Sequence, residues 1–188
     1  MGVEQLYKEY LTNKTVCLVG GGSTYDAAKV NSQYDIIARV GSHLNEQTDL
    51  LHDVLYHSGS DPENVIPDLT IVPHWTDFIV TNSLKPQSIK KFKDTGIKTR
   101  TIVMNCLPHK ERLEPFCTEL GCDYAFTGFF AINDLLSFPI DNLYLTGMDL
   151  NPKNLGNHDK EKHANWLRNK MKEDPRIKLD FTLEKIIL

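Results

Sequence analysis

Residues 127–150 read TGFFAINDLLSFPIDNLYLTGMDL, and this stretch decides the fold class. Its first half is strongly apolar and long enough for a helix, whereas NLYLTG at 142–147 has the character of a buried strand. A helix followed directly by a buried strand is the repeating unit of α/β proteins. One Thr-Gly pair opens the helix and a second closes the strand, and small residues at these places let another group approach the backbone closely.

The same alternation of strands and helices extends over the whole chain. Strands are predicted at 14–20, 34–40, 50–58, 76–84, 98–107, 142–147 and 177–179. Helices are predicted from Thr24 onward and at 86–96, 110–121, 127–138 and 159–174, with a proline-marked loop at 60–68. Continuous apolar strands that alternate with helices imply an α/β, Rossmann-like fold with a mostly parallel sheet and helices on both faces. The length of 188 residues suits a single domain over 1–188.

Composition and charge exclude several classes of protein. A formal net charge of -4 argues against a protein built mainly to bind nucleic-acid backbone. No stretch approaches 18 uninterrupted apolar residues, so no membrane span is predicted, and the charged N-terminus lacks a signal-peptide core. The 4 cysteines form no CxxC pair and no zinc-ligand spacing. Buried free thiols in a reducing compartment are the simplest interpretation, which predicts a cytoplasmic protein.

The carboxyl ends of the predicted strands are the expected place for a ligand. Parallel sheets of this type bind ligands in the crevice beyond those ends. The segments predicted to lie near this one edge are 20–24, 40–43, 104–107 and 146–149.

Three glycines follow the first strand, in the sequence CLVGGGST at 17–24. Glycine lets the backbone approach a phosphate, and the N-terminus of the next helix offers unpaired N–H groups. A tight turn with an ordinary helix cap is the alternative. The dinucleotide fingerprint is incomplete, because Tyr25 stands where its third glycine belongs and no acidic residue closes the second strand. An NADP site could still use Arg39, but this interpretation is the weaker one.

Three segments together resemble the sialyltransferase-type glycosyltransferases, including their small bacterial and viral members. CLVGGGST (17–24) with YDIIARVGSH (34–43) is similar to the long motif of that family. TGFFAINDLLSFPIDNLYLTGMD (127–149) is similar to the short motif, and HDKEKHANWL (158–167) to the late motif with histidine and glutamate. QTDLLHDVLYHSG (47–59) matches the strand that often follows the first motif, so the resemblance covers most of the chain.

The resemblance implies a variant of the GT-A fold and the transfer of a sugar from a nucleotide donor, by analogy a CMP-sugar, to an acceptor hydroxyl. The donor would lie across the strand ends, and helix N-termini would stabilise the phosphate that leaves. No metal or cofactor is implied, which agrees with the lack of an Asp-x-Asp motif. The residues implied in nucleotide binding are Gly20, Gly21, Gly22, Ser23, Thr24, Arg39, Gly41, Thr127, Gly128, Gly147 and Asp149.

The chain departs from the family pattern at two positions. Members usually carry asparagine in the glycine turn and after the Arg-hydrophobic pair, where this chain has Gly21 and Gly41. Both asparagines would help to hold the nucleotide, so the donor and catalytic competence stay open. Thr127 and Gly128 also allow a simpler interpretation, in which threonine caps the helix and glycine permits close packing.

His158 is the predicted catalytic base, because it follows a polar loop and corresponds to the late histidine of the family. A neutral imidazole can take the proton of an acceptor hydroxyl as that hydroxyl attacks the anomeric carbon. Glu161 would orient the imidazole ring or contact the acceptor. Both residues equally suit an ordinary helix start with surface charges.

Three functions therefore compete. The first is a metal-independent, inverting glycosyltransferase whose partners are a nucleotide sugar and a hydroxyl acceptor, with a nucleic-acid acceptor left open. The second is an NADP-dependent oxidoreductase that uses Gly20, Gly22 and Arg39. The third is a non-catalytic nucleotide-binding module, suggested by the missing asparagines and the small size.

Overall fold

The computed structural model describes residues 2–20, 27–41, 53–57, 76–81, 102–105, 110–121, 126–148 and 160–179, which contain five helices and seven strands. The helices are α1 (Val3–Leu11), α2 (Ala27–Gln33), α3 (Lys110–Leu120), α4 (Thr127–Leu136) and α5 (Lys160–Glu173). The strands are β1 (Thr15–Val19), β2 (Ile36–Val40), β3 (Val54–His57), β4 (Phe78–Thr81), β5 (Ile102–Asn105), β6 (Asn142–Thr146) and β7 (Ile177–Leu179).

The strands form one 7-stranded sheet in the order β5-β4-β3-β2-β1-β6-β7. Every pairing between neighbouring described strands is parallel. The chain builds the sheet outward from β1 to β5 and then returns to the other side of β1 to add β6 and β7. The prediction of a Rossmann-like, mostly parallel sheet is therefore confirmed.

Helices pack on both faces of the sheet because the strands are apolar on both faces. Side chains alternate between the two faces along each strand. One face carries the larger hydrophobic core, to which α1, α3, α4 and α5 all contribute. The other face carries a smaller cluster, in which Val30 of α2 packs against Cys17, Val19 and Ile37.

Helix α1 was not predicted from the sequence. Its charged residues surround two fully buried ones, Tyr7 and Leu11, which are one helical turn apart. The ring of Tyr7 lies 4.9 Å from that of Phe78 and 5.2 Å from that of Phe138. The N-terminal segment is thus part of the main core.

Most of the predicted elements are present, with ends shifted by a few residues. The helix predicted to stop at Gly121 ends at Leu120, and Gly121 has a φ of 65°, in the left-handed region that favours glycine. The helix predicted at 86–96 and the loops at 60–68 and 149–157 lie outside the described residues. Among the residues that are described, no helix has both the length and the apolar character to cross a bilayer.

Candidate functional site

The sheet has its topological switch point between β1 and β6, because the chain adds β2 to β5 on one side of β1 and then β6 and β7 on the other. A glycine follows each of these two strands. The Gly20 N–H donates to the Thr146 carbonyl over 2.9 Å, so the two strands stay paired to their ends. In open α/β sheets, ligands bind outside the carboxyl ends of the strands at such a reversal. Gly20 and Gly147 therefore lie at the place where the fold itself favours a ligand.

Both of these glycines also have a structural reason. A Cβ atom added at Gly20 would lie 2.6 Å from the Gly147 carbonyl oxygen and 2.7 Å from Met148 Cγ, which is closer than packing allows. Gly147 itself has a φ of 64°, a conformation that other residues rarely adopt. Packing and backbone geometry thus account for glycine here, and contact with a nucleotide stays a prediction.

The Met148 side chain lies between the end of β1 and the start of α4. Its Cε and Sδ atoms lie 3.7 and 4.0 Å from the position that a Cβ of Gly128 would take, and Val40 Cγ2 is also 4.0 Å away. The side chain that crowds Gly20 therefore reaches Gly128 as well. The structure brings Gly20 and the Thr-Gly helix start together at one edge of the sheet.

Helix α4 begins at this edge without a side-chain cap. Its N-cap residue is Phe126, which makes no capping hydrogen bond, and the first turn contains no acidic residue. The interpretation of Thr127 as the cap is therefore wrong, since Thr127 is the first residue of the helix itself. The first N–H groups of a helix have no partner within it and carry partial positive charge.

The other end of α4 is held by a guanidinium group. Arg176 donates from Nη2 to the Leu136 carbonyl over 2.8 Å and from Nη1 to the Phe138 carbonyl over 3.0 Å. Asp174 fixes the guanidinium at 2.6 Å, and this hydrogen bond lowers the pKa of the Asp174 carboxyl below its ordinary value. A cation thus satisfies the negative end of α4, while the positive end lies at the edge of the sheet.

Buried polar side chains stand at the ends of β2, β3 and β4. Arg39 and His57 are each 3% exposed, and Thr81 is fully buried. The strand register and the alternation of side chains place all three on the face against which α2 packs. All three interact with other groups of the protein. Gly41 continues the ladder at this edge, because its N–H donates to the Tyr56 carbonyl over 3.1 Å.

Glu161 lies in the first turn of α5 and points outward. Its carboxylate pairs with Arg168 Nη1 at 3.4 Å, and its side chain is 75% exposed. His163, two residues later, is buried. Residues two apart lie on opposite sides of a helix, so Glu161 faces away from the core that His163 enters.

Six of the predicted site residues lie outside the described residues, and their roles stay predictions. They are Gly21, Gly22, Ser23, Thr24, Asp149 and His158.

Two residues that shape this edge of the sheet were not predicted from the sequence. Met148 occupies the space between the glycines, and His163 packs against the start of α4. The only local indication that Met148 matters is its place as a large side chain between Gly147 and the next acidic residue. His163 was not predicted, because its packing partners Phe126 and Phe129 are distant in sequence.

Comparisons with known proteins support the fold. No protein-family model matches the chain, and no curated protein matches it. Among solved structures, the chain is similar to the sialyltransferase CstII from Campylobacter jejuni, which was solved in complex with the substrate analogue CMP-3FNeuAc. The TM-score is 0.55 at 15% sequence identity, over 88% of this chain and 78% of that one. This chain therefore has a sialyltransferase-like fold.

Proposed function

We propose that this protein is a glycosyltransferase that moves a sugar from a nucleotide donor, most simply a CMP-sugar, to an acceptor hydroxyl. One observation carries the proposal. Gly20, which follows β1, and the start of α4 both lie against Met148, at the reversal point of a parallel sheet. The similar fold of an enzyme solved with CMP-3FNeuAc supports the choice of donor.

The start of α4 would hold the donor phosphate. A helix N-terminus without a side-chain cap or an acidic residue presents its amides to an anion. Negative charge grows on the phosphate oxygen as the bond to the sugar breaks. Backbone N–H groups that already point at this oxygen therefore stabilise the transition state more than the ground state. The sugar would extend beyond the carboxyl ends of β2 to β4, the side of a parallel sheet on which ligands bind.

His158 would act as the base in a single displacement. The acceptor oxygen forms a bond to the anomeric carbon, and the bond from that carbon to the phosphate oxygen breaks with its electron pair on the leaving nucleotide. The hydroxyl proton passes to the imidazole of His158. Glu161, whose outward carboxylate pairs with Arg168, would contact the acceptor. No step in this scheme requires a metal.

A binding panel tests the nucleotide class. CMP, CDP, UMP, UDP and NADP are added to the full chain, and thermal unfolding is followed. Cytidine nucleotides should stabilise the protein most, by about 2.7 kcal/mol when the ligand concentration is 100 times Kd. Stabilisation by NADP alone would end the transferase proposal. The oxidoreductase alternative gains no support from Arg39, which is buried and already interacts within the chain.

A histidine variant tests the base. His158→Ala should lower kcat/KM for donor turnover by about 10²- to 10⁴-fold while the Kd for CMP stays unchanged, because a base contributes to the transition state alone. His74→Ala is the control, since no motif assigns His74 to the site. Equal turnover by the His158 variant and wild type would show that another group takes the proton.

A further inference from the structure

We infer that His163 is a positioning residue, which holds the first turn of α4 and with it the backbone amides of Thr127 and Gly128. The consequence for nucleotide binding rests on the proposed function. The structural part of the inference is measurable without any nucleotide.

One imidazole ring contacts both residues that bracket the Thr-Gly pair. The His163 ring lies 4.9 Å from the ring of Phe126, which precedes α4, and 4.7 Å from that of Phe129 in its first turn. His163 is only 1% exposed. The two phenylalanines cannot shift relative to α5 without breaking these ring contacts, so Thr127 and Gly128 between them are fixed as well.

Helix α5, which carries His163, is itself packed against two other helices. The Trp166 ring lies 5.7 Å from Phe129 and 5.2 Å from Phe116 of α3, in edge-on arrangements that aromatic pairs favour. The Trp166 Nε1–H donates to Glu119 Oε1 over 2.8 Å. Helix α5 is therefore held against both α3 and α4, and it presents His163 at a fixed place.

Among the described residues, packing sets the position of the first turn, since the N-cap residue makes no capping hydrogen bond. Phe126 provides no side-chain cap. Gly128 has no side chain, and the nearest atoms to its missing Cβ belong to Met148 and Val40 at ordinary contact distance. Amides that bind a phosphate must be held in place before the ligand arrives, since small displacements weaken their contribution strongly. His163 supplies that constraint on the side of α4 that faces α5.

Hydrogen exchange and nucleotide binding test the inference on the full chain. In His163→Ala, the Phe130 amide, which donates to the Phe126 carbonyl over 2.8 Å, should exchange about tenfold faster, while the amides of the last turn of α4, near Arg176, stay unchanged. The Kd for CMP should rise about tenfold. His163→Phe keeps an aromatic ring and should restore both values. Met171→Ala, another packed residue of α5, is the control and should change neither.

Each outcome decides one part of the inference. Unchanged exchange of the Phe130 amide in His163→Ala, or failure of His163→Phe to restore it, would overturn the positioning role. Faster exchange together with no CMP binding by the wild type would support that role and instead refute the proposed function. If the alanine variant does not fold, His163→Leu is compared with His163→Phe in the same way.

Discussion

Gly20 and Gly128 lie at the same edge of the sheet but differ in how much space surrounds them. Alanine substitution at the two positions should therefore change the free energy of unfolding differently. At Gly20 an added Cβ would lie 2.6 Å from a backbone oxygen, whereas at Gly128 its nearest neighbour is Met148 Cε at 3.7 Å. Gly20→Ala must push β1 away from β6 and should lower the free energy of unfolding by about 1–3 kcal/mol. Gly128→Ala fits, and alanine in a helix is more favourable than glycine by up to about 1 kcal/mol.

Urea unfolding of the two variants beside the wild type measures both changes. We expect opposite signs, with Gly128→Ala neutral or stabilising. Gly20→Ala with wild-type stability would mean that the contact between Gly20 and Gly147 is looser than the structure shows.

At the scale of single residues, the sequence predicted a candidate site at these glycines but not the packing that accounts for them. Gly20 and Gly147 were recognised because they follow apolar strands, which is a local pattern. The crowding of Gly20 by Met148 depends on the pairing of β1 with β6, and these strands are far apart in sequence. The contact of His163 with Phe126 depends on tertiary packing in the same way, and no local pattern reports such contacts.

At the scale of elements, a buried hydrogen-bond network fixes α4 against β3 and α1. The Tyr56 hydroxyl donates to Asp134 Oδ2 over 2.7 Å and shares a 2.9 Å hydrogen bond with the Tyr7 hydroxyl. Asp134 is the one acidic residue of a largely apolar helix and is 4% exposed. The apolar pattern of 127–138 predicted the helix correctly, but the partner of its one acidic residue could not be read from sequence.

Tyr56→Phe removes the donor to Asp134 and should cost about 1–3 kcal/mol of stability, the usual effect of depriving a buried acceptor of a partner. Tyr7→Phe leaves the bond between Tyr56 and Asp134 intact and should cost less. Denaturant unfolding at neutral pH ranks the two variants. A larger loss in Tyr7→Phe would contradict the assignment of Tyr56 as the centre of this network.

The same network predicts that the stability of the folded protein depends on pH under alkaline conditions. Burial, and then the charge of Asp134, raises the pKa of Tyr56 well above its ordinary value of 10.0. The unfolded chain therefore loses this proton first, and the stability that the buried hydroxyl provides falls as pH rises above about 10. The difference in stability between wild type and Tyr56→Phe should shrink over that range. A constant difference would show that the hydroxyl does not titrate differently on folding.

At the scale of the whole molecule, the alternation of apolar strands and helices predicted the sheet, but the strand order came from the structure. Local sequence gives the class of an element, whereas the return of the chain from β5 to β6 is a property of the assembled sheet. Helix α1 was missed because only Tyr7 and Leu11 mark its buried side. The two ends of the parallel strands also differ. The candidate site lies at their carboxyl ends, and two acidic residues lie at their amino ends.

The acids at the amino ends allow stability to be changed without touching the candidate site. Asp53 Oδ2 accepts the Ile37 N–H over 2.8 Å, and Asp77 follows at the start of β4, where its Oδ2 accepts the Tyr10 hydroxyl over 3.0 Å. Burial raises the pKa of Asp53 above 3.8, the Ile37 hydrogen bond opposes this rise, and the charge of Asp77 adds to it. The folded protein thus disfavours the ionised carboxylate of Asp53.

Asp53→Asn should therefore stabilise the protein at pH 7, since the amide oxygen can still accept the Ile37 N–H. Because the pKa is raised on folding, the unfolded chain ionises first, and stability is lost as pH rises from 3.8 through the folded pKa. The gain in stability of the Asp53→Asn variant should accordingly vanish below that pH range.

Asp77→Asn relieves the same repulsion, so the double variant should gain less stability than the two single gains added together. Urea unfolding at pH 7 and in acid gives these values, and additive gains would mean that the two carboxylates do not interact. CMP binding should be the same in all three variants, because the substitutions lie at the opposite edge of the sheet from Gly20 and the start of α4.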